Sequence, residues 1–185
     1  PEVDSHIYVW EGTLADGSIP PYEGENGISW STTGAGWFGA GIMSIQPANL
    51  SNFSEGFLKF RIKIPQNISF QIGIIDAWGN QSYVDFPANQ TTYGLIRNGN
   101  WGQASIPISD IRGELIDLRM LSYEFVILEV NGVPCEFALD DIFWDGGNIE
   151  NLIGDVNNDG IINVVDIVSI INIILDNSEH NDSAD

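Results

Sequence analysis

Between Phe57 and Trp144 the chain reads as a succession of short apolar or alternating runs: FLKFRIKI (57–64), SFQIGIID (69–76), QASIPIS (103–109), EFVILEV (124–130) and CEFALDDIFW (135–144). Turn residues separate them, with Gly79-Asn80, Asn98-Gly99, Asn131-Gly132 and prolines at Pro65, Pro87 and Pro107. Alternation with period two sends successive side chains to opposite faces, so each run has the pattern of a strand with one face buried. No segment from His6 to Trp144 holds a helical period for three turns. So many short strands in about 145 residues predict an all-β fold, an antiparallel sandwich of the jelly-roll kind.

The period changes after Gly146. In IINVVDIVSIINIIL (161–175) polar residues recur at Asn163, Asp166, Ser169 and Asn172 among aliphatic ones. That spacing predicts a helix with a narrow polar stripe and a wide apolar surface that needs a partner. The expected organisation is a sandwich over 1–147, a linker over 148–153 and a loop-helix unit over 154–185.

The formal charge is −20, and all six basic residues precede residue 120. Polyanions such as nucleic acid, or an anionic membrane surface, are therefore excluded as expected partners. The single Cys135 allows no intramolecular disulfide, no apolar run has the length of a membrane span, and a chain that begins at Pro1 is expected to continue upstream.

The stretch GDVNNDGIINVVD (154–166) concentrates oxygen side chains. Counted from Asp155, they fall at positions 1, 3, 5, 9 and 12 as Asp155, Asn157, Asp159, Asn163 and Asp166, with Gly160 at position 6 and Ile161 at position 7. A hard cation is wrapped by alternate loop oxygens, glycine permits the sharp turn and position 7 contributes a backbone carbonyl. With the following helix, GDVNNDGIINVVDIVSIINIIL resembles one repeat of a dockerin, the calcium-binding module that docks onto cohesins in secreted bacterial glycan-degrading systems. The resemblance implies Ca2+ held by Asp155, Asn157, Asp159, the Ile161 carbonyl, Asn163 and Asp166, within a short EF-hand-like loop-helix. It departs from the family in having one complete repeat rather than two, and in carrying Val164 and Val165 where many dockerins place hydroxyl residues against cohesin.

The ordered series FLKFRIKI, FQIGIIDAWGNQSYVDF, YGLIRNGNWGQASIPISDI, IDLRMLSYEFVILE and FALDDIFWDGG is similar to the galactose-binding-like sandwich at the C-terminus of bacterial exo-β-glucanases and laminarinases. The resemblance implies a secreted, non-catalytic carbohydrate-binding module, specific for a β-glucan, tethered to a polysaccharide-degrading enzyme. It also implies that an acid of the last strand, Asp141, joins an N-terminal acid, Glu11, around a structural Ca2+. The residues alone leave Asp140-Asp141 ambiguous, since on a regular strand one of the two faces the core and needs a hydrogen bond or a metal there.

Six Trp and five Tyr supply rings on which sugar faces can pack. Trp10 and Trp144 lie beside apolar strand patterns and are read as core. Trp78, in the turn sequence Asp-Ala-Trp-Gly-Asn, is expected to be exposed and to bind sugar, while Trp37 and Trp101 fit either role. Gln81, Tyr83, Asp85, Tyr93 and Arg97 are the candidates for hydrogen bonds around Trp78. Neither Asp140-Asp141 nor another acid pair marks the facing carboxyls a glycosidase needs, and no nucleophile or metalloprotease motif is present. The chain is therefore expected not to be an enzyme. Two alternatives stay open, an interaction module anchored to a cohesin-like partner and a small jelly-roll lyase or hydrolase.

Overall fold

The computed structural model describes residues 5–146, 156 and 163–178, and contacts divide the chain into two units, Pro1–Gly147 and Asn148–Asp185. In the first, ten strands run β1 (Ser5–Val9), β2 (Leu14–Asp16), β3 (Ile28–Thr32), β4 (Phe38–Ala48), β5 (Phe57–Lys63), β6 (Phe70–Asp76), β7 (Gln81–Phe86), β8 (Gly102–Pro107), β9 (Leu121–Glu129) and β10 (Glu136–Asp145). A single helical turn, α1 (Ile108–Ile111), follows β8. The strands form two antiparallel five-stranded sheets, ordered β1-β4-β9-β6-β7 (sheet A) and β2-β3-β10-β5-β8 (sheet B).

The expected β-sandwich is present because alternation gives each sheet one apolar face. Strand β5 is the clearest case: Leu58, Phe60 and Ile62 are buried while Phe57, Lys59, Arg61 and Lys63 face out. Sheet A contributes Phe38, Ala40, Ile72, Ile74, Phe125 and Ile127 to the same core. Aromatic rings interlock across it, with Phe60 against Phe125 (5.4 Å) and Phe38 stacked on Phe137 (4.8 Å).

In the second unit, helix α2 (Val164–Ser178) covers most of the segment whose polar spacing is helical. Of the proposed loop ligands, Asp155, Asn157, Asp159 and Ile161 lie outside the described residues.

Candidate functional site

The outer face of sheet A differs from an ordinary solvent-facing sheet surface. Register places three rows of outward residues across it. One row reads Tyr8, Gly41, Val126, Gly73 and Tyr83, crossing all five strands. A second reads His6, Met43, Tyr123, Ile75 and Gln81, and a third Gly39, Leu128, Gln71 and Asp85. At the usual strand spacing, five strands present a track of about 19 Å.

Glycine at three of these positions lets aromatic rings lie against the backbone. A Cβ on Gly39 would stand 2.7 Å from Trp10 Cε3 and 2.9 Å from Trp37 Cζ3. One on Gly41 would stand 2.7 Å from Tyr123 Cδ1 and 3.2 Å from Trp10 Cη2, and one on Gly73 2.2 Å from Tyr83 Cδ1. The rings of Trp10, Trp37, Tyr123 and Tyr83 thus form a layer on the sheet. Tyr8 meets Trp10 edge to face at 6.3 Å, and Trp10 lies tilted against Tyr123 at 5.5 Å. Val126 faces outward yet is 1% exposed, as a residue roofed by that layer must be. Burial raises the phenol pKa of Tyr83 and of Tyr123, keeping both neutral donors, and the Tyr83 hydroxyl donates to Gln81 Oε1 (2.9 Å). Gln71 donates to Asp85 Oδ1 (2.8 Å), and both line a cleft of about 240 Å³ that continues the face past Leu128 toward Val130 and Asn131.

The face can therefore offer aromatic surface and amide, phenol and carboxylate hydrogen-bonding groups, with Asp85 the one carboxylate among the row residues. A neutral polyhydroxylated ligand matches that chemistry. Hydrolysis of a glycosidic bond would need a second carboxyl facing the first, which the rows do not supply. Replacing Gly39 by alanine is expected to lift both indoles, because the atoms it meets belong to side chains rather than backbone. Binding to this face should weaken about tenfold with the melting temperature nearly unchanged, as read by titration and calorimetry.

Of the residues singled out in the sequence, Trp37, Tyr83, Gln81 and Asp85 share this face. Trp78 sits in the β6–β7 turn, 71% exposed, held from behind by Asp76. Trp101 lies elsewhere, before β8 in sheet B, with its ring 6.0 Å from that of Tyr22.

Two further candidates lie away from these rows. Arg97 is 7% exposed and donates to the carbonyls of Ile68, Pro87 and Gln90, so its guanidinium ties loops together. Tyr93 packs on Phe86 (5.7 Å) at the border of the core.

The paired acids also differ from expectation. A bulge between Asp140 and Phe143 breaks the alternation, Asp141 adopts φ 48°, and neither carboxylate enters the core. Asp140 Oδ2 accepts the N–H of Tyr22 (2.8 Å), and Asp141 Oδ2 accepts Arg61 Nε (2.9 Å). Glu11 follows β1 at φ 51°, and no group of three or more acidic, His or Cys residues placed to hold a metal occurs among the described residues.

From the sequence Trp10 is read as core and Tyr123 is not singled out, whereas both rings lie on this face. The signal was the FGAG at the start of β4, two glycines at alternate positions of a strand, which on one face leave bare backbone for rings to cover.

The family model of carbohydrate binding domain 30 matches residues 2–146. The family 30 carbohydrate-binding module of a cellulosomal cellulase from Clostridium thermocellum superposes with a TM-score of 0.59 at 17% identity, over 75% of this chain and 89% of that one. The extra C-terminal domain of an exo-1,3/1,4-β-glucanase from a Pseudoalteromonas species gives 0.54 at 15% identity, over 80% and 87%. The family 11 module of Clostridium thermocellum, solved with a β-1,3-1,4-mixed-linked tetrasaccharide, gives 0.50 at 18% identity, over 76% and 87%. At such identities the structural likeness speaks for the fold alone, and no curated protein matches the chain in sequence. The sandwich with its ring-covered sheet and the model match over most of the chain together place this protein in carbohydrate-binding family 30.

Proposed function

We propose that the outer face of sheet A binds a polysaccharide without cleaving it, a β-glucan such as laminarin or mixed-linkage glucan, and so holds an attached glycoside hydrolase on its substrate outside a bacterial cell. The observation that carries this reading is the layer of Trp10, Trp37, Tyr123 and Tyr83 laid over Gly39, Gly41 and Gly73. Rings laid over the sheet meet the C–H faces of consecutive pyranoses, and the amide and carboxylate groups at Gln71, Gln81 and Asp85 take the hydroxyls. The mixed-linkage tetrasaccharide found with the family 11 neighbour supports the choice of glycan. Affinity electrophoresis in gels containing laminarin, mixed-linkage glucan, xylan, agarose or galactan tests it. Retardation by a β-glucan with no release of reducing sugar is expected. Unchanged mobility in every gel would overturn the reading, and sugar release would favour a hydrolase.

The tail is read as a calcium-binding repeat. Asp166, at 1% exposure, accepts the N–H groups of Val156 (2.9 Å) and Asn163 (2.8 Å), and Asn163 Oδ1 accepts the N–H of Val165 (2.7 Å). The carboxylate thus closes the loop onto the first turn of α2, which fits a hard cation held by Asp155, Asn157, Asp159, the Ile161 carbonyl, Asn163 and Asp166. Helix α2 exposes Ile167, Val168, Ile171 and Ile174, a surface suited to a cohesin-like protein partner. Chelation is expected to abolish the α2 circular-dichroism signal and calcium to restore it, whereas a signal indifferent to chelator would count against the repeat.

A further inference from the structure

The opposite face of the sandwich carries aromatic and polar groups that the sheet A reading leaves unused. A Cβ on Gly102 would stand 2.6 Å from the Ile96 carbonyl oxygen and 2.8 Å from Cδ1 of the buried Leu95, and Trp101 precedes it just outside β8. Its ring meets Tyr22 edge to face at 6.0 Å, and the Arg61 guanidinium carbon lies 4.0 Å from the centre of the Tyr22 ring. Arg61 is an outward residue of β5, paired with Gln103 on β8 and with Asp140 on β10.

This cluster is held in place from several sides. Asp140 Oδ2 accepts the N–H of Tyr22 and fixes the loop that carries that ring, while Asp140 Oδ1 accepts the N–H of Asp141 (2.9 Å). The bulge in β10 keeps Asp141 in the left-handed region at φ 48° and turns its carboxylate to Arg61. Only Nε of Arg61 is used in that ion pair, so the Nη groups keep their donors, and Asp141 Oδ1 and the exposed Gln103 amide remain as further partners.

Arg61 and Asp141 neutralise each other, which argues against an anionic or a cationic ligand. Fixed donors and acceptors beside two accessible ring systems fit a neutral sugar: rings for its C–H face, and a guanidinium fork and a carboxylate oxygen for vicinal hydroxyls.

The geometry points to a second glycan-binding site on sheet B, formed by Trp101, Tyr22, Arg61, Asp141 and Gln103, that takes the same class of neutral polysaccharide as sheet A on a separate chain. It extends the sheet A reading, and the two faces, on opposite sides of the core, make the module bivalent. A bivalent module crosslinks polysaccharide chains and gains avidity on an insoluble matrix without any new contact at either site.

Indole N–H signals of the 15N-labelled protein test this, with those of Trp10 and Trp101 assigned through Trp10→Phe and Trp101→Phe and followed during titration with mixed-linkage gluco-oligosaccharides. Two saturable isotherms are expected, one at each signal. Tyr22→Ala is expected to weaken the Trp101 isotherm at least tenfold and leave that of Trp10 unchanged. In a bridging assay the wild-type protein should retain labelled soluble glucan on an insoluble β-glucan, and Tyr22→Ala or Trp10→Ala should bind the matrix yet fail to bridge. A Trp101 signal that stays still while Trp10 saturates overturns the second site and leaves the sheet A reading standing. Shifts at Trp101 alone would support the second site and overturn the sheet A reading, and stillness at both would overturn both. A Trp101 shift that depends on protein concentration without glycan would mark a self-contact and overturn the site.

Discussion

Trp10→Ala is expected to weaken β-glucan binding at sheet A by about 30-fold, near 2 kcal/mol. Its indole bridges the bare backbone between Gly39 and Gly41 and props both Tyr8 and Tyr123, so truncation removes one ring and frees two others. The lost stabilisation is that of a central, largely desolvated aromatic anchor. Because Trp10 lies outside the core between the sheets, the melting temperature should fall by only a few degrees. Trp144→Phe is the contrast. Trp144 packs on Phe53 (6.2 Å) and donates through Nε1 to the Glu124 carbonyl (3.2 Å), so its replacement should lower stability and leave binding intact. Calorimetric titration with a mixed-linkage oligosaccharide separates the two, and equal affinity for wild type and Trp10→Ala would remove Trp10 from the site.

Asp76→Ala should lower stability by about 3 kcal/mol, a drop of about 10 °C in melting temperature. The carboxylate is 2% exposed. It accepts the N–H groups of Trp78 (2.9 Å), Asn80 (2.9 Å) and Asp117 (3.2 Å) and the Asn80 side-chain amide (2.9 Å), tying the β6–β7 turn to the loop before β9. Alanine leaves those part-buried donors without their shared acceptor. Burial alone raises the pKa of this carboxyl, but the bonds from Asn80, Asp117 and Trp78 outweigh it and hold the value below the ordinary carboxylate range. A folded-state pKa below the unfolded one of about 3.9 means that the ionised group stabilises the fold fully above that value. The contribution is lost as pH falls through the lower, folded pKa, so the gap between wild type and Asp76→Asn should be widest near neutrality and close below about pH 4. A gap that persists in strong acid would show that the effect lies in packing rather than in the charge. Asp76→Ala frees the turn that holds Trp78, so it also reports whether that indole, rigidly presented, contributes to glycan binding.

Strands β5, β6, β8, β9 and β10 were legible because burial of one face writes an alternation or an apolar run into each of them, whereas the short β1, β2 and β3 carry too little of it. FLKFRIKI shows it most plainly, and β5 occupies nearly the same residues. Strand β4 was not legible, since FGAG puts glycine at the outward positions and so carries no polar half of the pattern, although it is the floor of the candidate site. The positions of Arg97, in the loop between β7 and β8, and of Trp10, in the turn after β1, are not written in strand alternation. Composition ranks Arg as a surface group and a strand-flanking Trp as a core group, but where each side chain lies depends on contacts with segments distant in sequence.

The sequence by itself determined the sandwich class, the change of period after Gly146 and the spacing of oxygens from Asp155 to Asp166, because each is a local periodicity with a local physical cause. Only the tertiary structure decided which rings meet. Trp10, Trp37, Tyr123 and Tyr83 stand far apart along the chain and gather through the pairing of β4 with β9 and of β6 with β7 and β9. Trp101, the same residue type, reaches the other sheet. A one-residue slip in any of these pairings would send the rings to the opposite face. Register is fixed by burial of the whole core, a sum over both sheets that no single stretch of sequence contains.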